Sequence, residues 1–189
     1  MMNFFQESKA LLSNTAGTPY PPEWKDYIRA REEIYSRLIP DYVQPNMRSE
    51  AMWVLRSRCH TGADVGVHVE RGDICWMDYG QTFLNEMGYQ HFGLVLSLCN
   101  KKALIAPLTS NRQAYERAGM TNRMENHLFR IGQPEGLNRP STLFLNDLRF
   151  VNTARILYVR AHIDPESSMF QEIQTRVIEI LTGSGIEKV

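Results

Sequence analysis

The sequence predicts a mainly β, α+β protein: a small barrel of short strands with one C-terminal helix and a helical N-terminal extension. Three observations predict it. Between residues 68 and 160, short β-rich runs alternate with polar loops, as in small barrels. Before that stretch, apolar side chains recur at helical spacing from Trp24 to Leu38. After it, Phe170, Ile173, Val177, Ile180 and Leu181 make one apolar helical stripe. The 189 residues suffice for one domain with an appendage, and for a core without disulfides. The expected division is an arm over residues 1–67 and a barrel domain with its helix over 68–189.

The elements follow in order. Pro21 and Pro22 precede Glu23, a common opening of a helix, and Trp24, Tyr27, Ile28, Ile34, Tyr35 and Leu38 share one face. Pro40 is expected to stop it. A second short helix is expected from Ser49, as its cap, to about Arg58. Strand candidates are 73–79, 91–98, 103–108, 127–131, 142–145, 147–151 and 155–157. The run from His91 to Leu98 is almost continuously apolar, as in a strand covered on both faces. Asn100-Lys-Lys102 predicts a tight hairpin turn between that strand and the next. Residues 115–126 and 132–140 read as loops. The last helix is expected over 165–182, ended by Gly183-Ser-Gly185.

Composition excludes several classes. With 43% hydrophobic and 22% charged residues, the chain is not intrinsically disordered. No apolar run approaches membrane-spanning length, so no membrane association is expected. The opening MMNFFQESKALLSN lacks both a basic flank and a long apolar stretch, so no signal peptide is expected. Three cysteines without close spacing fit a reducing cytoplasm. Basic and acidic residues number 21 each, which excludes binding to nucleic acid by bulk charge alone. The middle is different: residues 68–160 hold 11 basic and 8 acidic side chains. From Arg112 to Arg160 every basic residue is arginine, whose planar fork suits phosphate.

The middle segment resembles the PemK/MazF toxin family. Arg71-Gly-Asp-Ile-Cys-Trp-Met-Asp-Tyr79 looks like that family's opening strand. Asn85-Glu-Met-Gly88 resembles its acidic, glycine-containing loop, and His91-Phe-Gly-Leu-Val-Leu-Ser97 its second strand. Ala106-Pro-Leu-Thr-Ser110 resembles the P-x-T-S strand end. Asn146-Asp-Leu-Arg-Phe-Val-Asn152, followed by Arg155-Ile156, resembles the late strand. The five fragments stand in the family's order over about residues 69–182. The resemblance implies an SH3-like barrel, a homodimer, and a sequence-selective endoribonuclease acting on single-stranded RNA. It also implies a cognate antitoxin partner and no need for metal. Cleavage would proceed by attack of the 2′-hydroxyl on the adjacent phosphate, leaving a cyclic phosphate and a 5′-hydroxyl.

That reaction needs a base, an acid and a fixed positive charge. His91 stands where many members carry a catalytic arginine, and the resemblance makes it a catalytic candidate. The alternative is a strand-end histidine satisfied by a backbone carbonyl. Thr109 matches a threonine that lines the cleavage site in relatives, although Thr-Ser-Asn is also good turn chemistry. Arg149 lies within a strand, either facing solvent or holding phosphate; the resemblance favours phosphate. Around these three catalytic candidates, Ser110, Glu86, Asn152 and Arg155 are expected to contact RNA. Asn152 stands where several relatives carry an acid, so that base is missing.

Other chemistries fit less well. Cys59, His60, His68, Cys75 and Cys99 lack metal-ligand spacing, so no metal or other cofactor is expected. There is no nucleophile elbow and no phosphate-cradling glycine loop. The runner-up function is a non-catalytic module on the same barrel, binding nucleic acid or a protein. A related toxin with this fold poisons DNA gyrase.

Overall fold

The computed structural model describes residues 20–119 and 126–184. The N-terminal segment read for a signal peptide and Arg123 lie outside the described residues. The chain forms two compact units that divide between Arg58 and Cys59.

The first unit is a helix pair, α1 (Trp24–Arg37) and α2 (Pro40–Arg56). The predicted stripe of α1 is present, yet the helix has no buried residue. Tyr20, Trp24 and Tyr27 lean on one another, with successive ring centroids 4.7 and 5.5 Å apart. Pro40 does more than stop a helix. It opens α2, where its missing N–H is one that has no intrahelical partner anyway. Ser49 is therefore not a cap: it lies buried within α2, with Asn46, Ala51 and Met52. Arg31 and Glu50 form an ion pair between the two helices.

The second unit opens with a strap. Gly62–Val65 form a 3-10 turn, capped reciprocally by Thr61 and Asp64. The Gly62 N–H donates to Thr153 Oγ1 at 3.0 Å. A Cβ at Gly62 would stand 2.7 Å from the Val67 carbonyl oxygen, so the approach needs glycine. Residues 59–67, read from sequence as part of the arm, pack with the barrel unit through these contacts.

Seven strands follow: β1 (Asp73–Asp78), β2 (Gln90–Cys99), β3 (Lys102–Thr109), β4 (Leu128–Gly132), β5 (Ser141–Phe144), β6 (Arg149–Asn152) and β7 (Ile156–His162). All pairings are antiparallel, in the order β4-β5-β3-β2-β1-β7, with β6 also on β3. β3 serves two partners along one edge: Lys102–Ile105 pair with β6, and Leu108–Thr109 with β5. β4 and β7 are the edges of the described sheet, so it is not closed. Gly136, at φ 93°, brings the 133–140 loop against β7 instead. A Cβ there would stand 2.5 Å from the Arg160 carbonyl oxygen.

Burial follows the pattern of each strand. In β2, Leu94 and Leu96 join Leu108, Leu143 and Phe170 in a core against helix α4 (Ser168–Thr182). Val95 points the other way, into a second core with Cys75, Met77, Ile105, Val151 and Ile156. The β2–β3 hairpin turns at Asn100 and Lys101, both left-handed (φ 43° and 68°), as the sequence predicts.

Several boundaries differ from expectation, among them β7, expected over 155–157, which runs on to His162. Helix α3 (Arg112–Arg117) occupies the start of an expected loop, because the Asn111 side chain caps it through the Gln113 and Ala114 N–H groups. The strand expected from Asp147 begins at Arg149. Arg155 lies on a 3-10 turn, Thr153–Arg155, rather than in β7. α4 is capped by Ser167 and ends at Gly183 (φ 70°), close to the prediction.

Candidate functional site

The ladders bring distant residues level. Leu108 pairs with Phe92 across β3 and β2, and one step further that register sets Thr109 opposite His91. Thr109 pairs on its other side with Thr142, and Thr142 with Arg130. His91 in turn pairs with Met77. One row of side chains thus crosses five strands: Arg130, Thr142, Thr109, His91, Met77. Opposite residues in a ladder share a face. Leu108 and Leu143, next to the row, face the α4 core, so the row belongs to the other face.

His91 is partly buried, with Nδ1 2.6 Å from the Gly88 carbonyl oxygen. A ring nitrogen facing a carbonyl carries the proton, which leaves Nε2 of a neutral ring as the acceptor. This is the carbonyl contact of the plain structural reading, and it is equally how a catalytic imidazole is oriented. Thr109 Oγ1 accepts the Asn111 N–H at 3.2 Å, which leaves its proton for an outside acceptor. Ser110 follows it, exposed.

Arg149 pairs with Ile105, and Ile105 with Val95, four residues along β2 from His91 on the same face. Its guanidinium carbon lies 5.5 Å from the centre of the Tyr79 ring. The Tyr79 hydroxyl donates to the Phe92 carbonyl at 3.2 Å and fills the space that Gly93 leaves open. A Cβ at Gly93 would meet that hydroxyl at 2.2 Å. Burial pushes the Tyr79 phenol well above its ordinary range, so it remains a neutral donor. Arg149 is also ion-paired with Asp147, whose other oxygen accepts the Met87 N–H at 2.5 Å.

The remaining predicted residues divide. Arg155 reaches the loop neck, with Nη1 donating to the Asp78 carbonyl at 3.2 Å. Glu86, exposed in the 80–89 loop, accepts the Phe83 N–H at 3.3 Å. Asn152 is engaged at both ends inside the fold: Oδ1 accepts the Ala154 N–H, and Nδ2 donates to the His60 carbonyl. Its amide is committed to the strap and the turn. Sequence reasoning missed Tyr79, Asp147 and Arg130. Arg130 is locked on α3, donating to the Tyr115 and Glu116 carbonyls at 2.6 and 3.0 Å. The Arg-rich stretch was the one signal that pointed to it.

Cys75 is no candidate nucleophile. Burial, then the Asp73 carboxylate, pushes its thiol up to about 12. Among the described residues no three His, Cys, Asp or Glu side chains converge to hold a metal ion. None of the described helices is long and apolar enough to cross a membrane.

An open, seven-stranded antiparallel sheet with His91 on β2, Thr109 on β3 and Arg149 on β6 defines a mainly β protein with a polar site on one sheet face. Residues 70–181 match the PemK-like, MazF-like toxins of type II toxin–antitoxin systems, and the chain belongs to that family. It is similar to MazF from Deinococcus radiodurans (16% identity, TM-score 0.45, 60% of this chain and 96% of that one). It is similar also to the MazE–MazF structure from the same organism (16%, 0.42, 60% and 96%). A third similar structure is the Mycobacterium tuberculosis toxin MazF-mt6 (12%, 0.40, 59% and 96%). No curated protein sequence matches the chain.

Proposed function

We propose that this protein is the toxin half of a toxin–antitoxin pair: a metal-independent, sequence-selective endoribonuclease that cuts single-stranded RNA. The observation that carries the reading is the register that sets His91 level with Thr109, in a chain of this family. The 2′-oxygen attacks phosphorus and loses its proton to a base; the P–O5′ bond breaks, and the leaving oxygen takes a proton. His91 Nε2 is suited to one of these transfers, because the Gly88 carbonyl fixes the ring. The Thr109 hydroxyl donates to a non-bridging oxygen, and Arg149 supplies the fixed charge that the phosphorane needs. Ser110, Glu86 and Arg155 flank the site as RNA contacts. The antitoxin is the expected protein partner, the working form a homodimer and the setting the cytoplasm.

The test is incubation of purified protein with long single-stranded RNA in EDTA, with mapping of the ends. Cuts leaving cyclic phosphate and 5′-hydroxyl are expected. No cutting across a diverse RNA pool, with or without added metal, would overturn the reading. One observation favours the second reading, a non-catalytic binding module: Asp147 already neutralises Arg149.

A further inference from the structure

We propose that Thr142 is a positioning residue: its buried hydroxyl donates to Thr109 Oγ1 and aims the Thr109 proton at the RNA phosphate. The inference rests on the reading of Thr109 as a group that contacts that phosphate.

Thr142 exposes none of its surface, and its Oγ1 has no hydrogen-bond partner among the described residues. A buried hydroxyl without a partner destabilises the fold, and native structures keep few of them. The preceding residue shows the ordinary solution. Ser141 is buried too, and its hydroxyl donates to the Arg139 carbonyl at 3.2 Å. Valine would fill the Thr142 position with nearly the same shape and no orphaned group, so strand formation does not call for threonine there. Local rules broken in this way gather at functional sites.

The sheet places one acceptor beside the orphaned donor. Thr142 lies between Arg130 on β4 and Thr109 on β3, directly opposite each in the ladders. Arg130 offers only donors, and its guanidinium is fixed on the Tyr115 and Glu116 carbonyls. Those bonds also set α3 on this side of the sheet, over the buried Thr142. Thr109 is the other neighbour in the row. Its Oγ1 accepts the Asn111 N–H at 3.2 Å, which occupies one of two lone pairs. Directly opposite residues of an antiparallel pair have Cβ atoms about 4.5–5.5 Å apart, and Thr–Thr pairs at that separation hydrogen-bond. Rotation between staggered side-chain positions closes the bond without backbone movement. A hydroxyl that accepts two hydrogen bonds is polarised into a stronger donor. With both lone pairs occupied, Thr109 meets the phosphate as a donor alone.

The test uses the full chain: parent, Thr142→Val, Thr142→Ser, Thr109→Val and the Thr109→Val/Thr142→Val double variant. Cleavage is read on a randomised single-stranded RNA pool in EDTA. Binding is read on the 2′-deoxy form of that pool, which lacks the attacking oxygen. Denaturant unfolding reads the fold. Thr142→Val should cut and bind about fivefold less well, the scale of one net hydrogen bond, with an unfolding midpoint at or above the parent's. Thr142→Ser keeps the hydroxyl and should cut much as the parent does. In the Thr109→Val background, Thr142→Val should add no further loss, because its acceptor is gone. Parent-like cleavage by Thr142→Val overturns the proposal. So does an equal loss with serine and valine, an undiminished loss in the Thr109→Val background, or a lower midpoint for Thr142→Val; each leaves Thr142 a packing role only. If the parent binds the 2′-deoxy pool and cuts no RNA, the nuclease reading fails by itself, and binding decides Thr142 by the same outcomes. A parent that neither cuts nor binds overturns both.

Discussion

In the barrel, Ile156, Phe170 and Ile173 expose none of their surface. In α1 no residue is buried, and Tyr27 and Ile34 keep 52% and 61% of theirs exposed. Both regions carry an apolar stripe of good helical spacing. Periodicity states which face of an element is apolar; it does not state whether the chain itself covers that face. α4 finds the sheet. Of the α1 stripe, Ile28, Tyr35 and Leu38 are half-buried, while Trp24, Tyr27 and Ile34 stay exposed.

The largest effect should separate the two regions by stability. Phe170→Ala removes a fully buried ring from the core between α4 and the sheet. It should cost about 3–5 kcal/mol in denaturant unfolding, the range for aromatic truncation in a packed core. Trp53→Ala, at a side chain 69% exposed, should stay within about 0.5 kcal/mol of the parent. Equal losses at the two sites would remove the distinction between arm and barrel.

Next comes the site. His91→Ala should lower RNA cleavage roughly a hundredfold or more while the protein stays folded, the scale of a lost general acid or base. His91→Arg restores the residue common in the family and is the sharper change. If the site needs charge there, the variant matches the parent. If it needs a titrating group, the variant fails like alanine. Cleavage unchanged in both would return His91 to a strand-end residue bonded to a carbonyl.

These two predictions show where the sequence is legible. The two-sided burial of β2 can be read from its nearly continuous apolar run, and the β2–β3 turn from Asn100. Thr109 and His91 are legible singly; their alignment depends on a hairpin register that begins at Cys99–Lys102, at the far end of both strands. Tyr79 and Asp147 were not found. Their importance lies in contacts to Gly93, Arg149 and Met87, which tertiary packing alone supplies. Pro40 was misread because proline is compatible with ending one helix and with opening the next. Asn111 was read as turn chemistry, when the same side chain caps α3.

A smaller effect tests the boundary between the regions. Removal of residues 1–58 leaves the strap contacts in place, and the barrel should unfold with the parent's midpoint. Removal of residues 1–67 deletes the Gly62 donor to Thr153 and the His60 acceptor of Asn152. Each lost bond should cost about 1 kcal/mol, so the longer truncation should be about 2 kcal/mol less stable than the shorter. Equal midpoints would show that the strap is an ornament of the arm.

The smallest change in stability should accompany a change in assembly. Trp24, Tyr27 and Ile34 are exposed on α1, and Trp24 is stacked on Tyr20 and tilted against Tyr27. The triple variant Trp24→Ser/Tyr27→Ser/Ile34→Ser loses those ring contacts, worth about 0.5–1.5 kcal/mol per pair. Its barrel unfolding midpoint should match the parent's. If the stripe is an assembly surface, the effect appears in sedimentation instead. The parent should run as a homodimer at about tens of micromolar, and the variant should need at least about tenfold more protein to do so, equivalent to about 1.4 kcal/mol of association free energy. A variant that dimerises like the parent would move the contact wholly onto the barrel. A monomeric parent would refute the homodimer and leave the stripe to the antitoxin, a possibility that the same variant tests by loss of complex formation with the antitoxin.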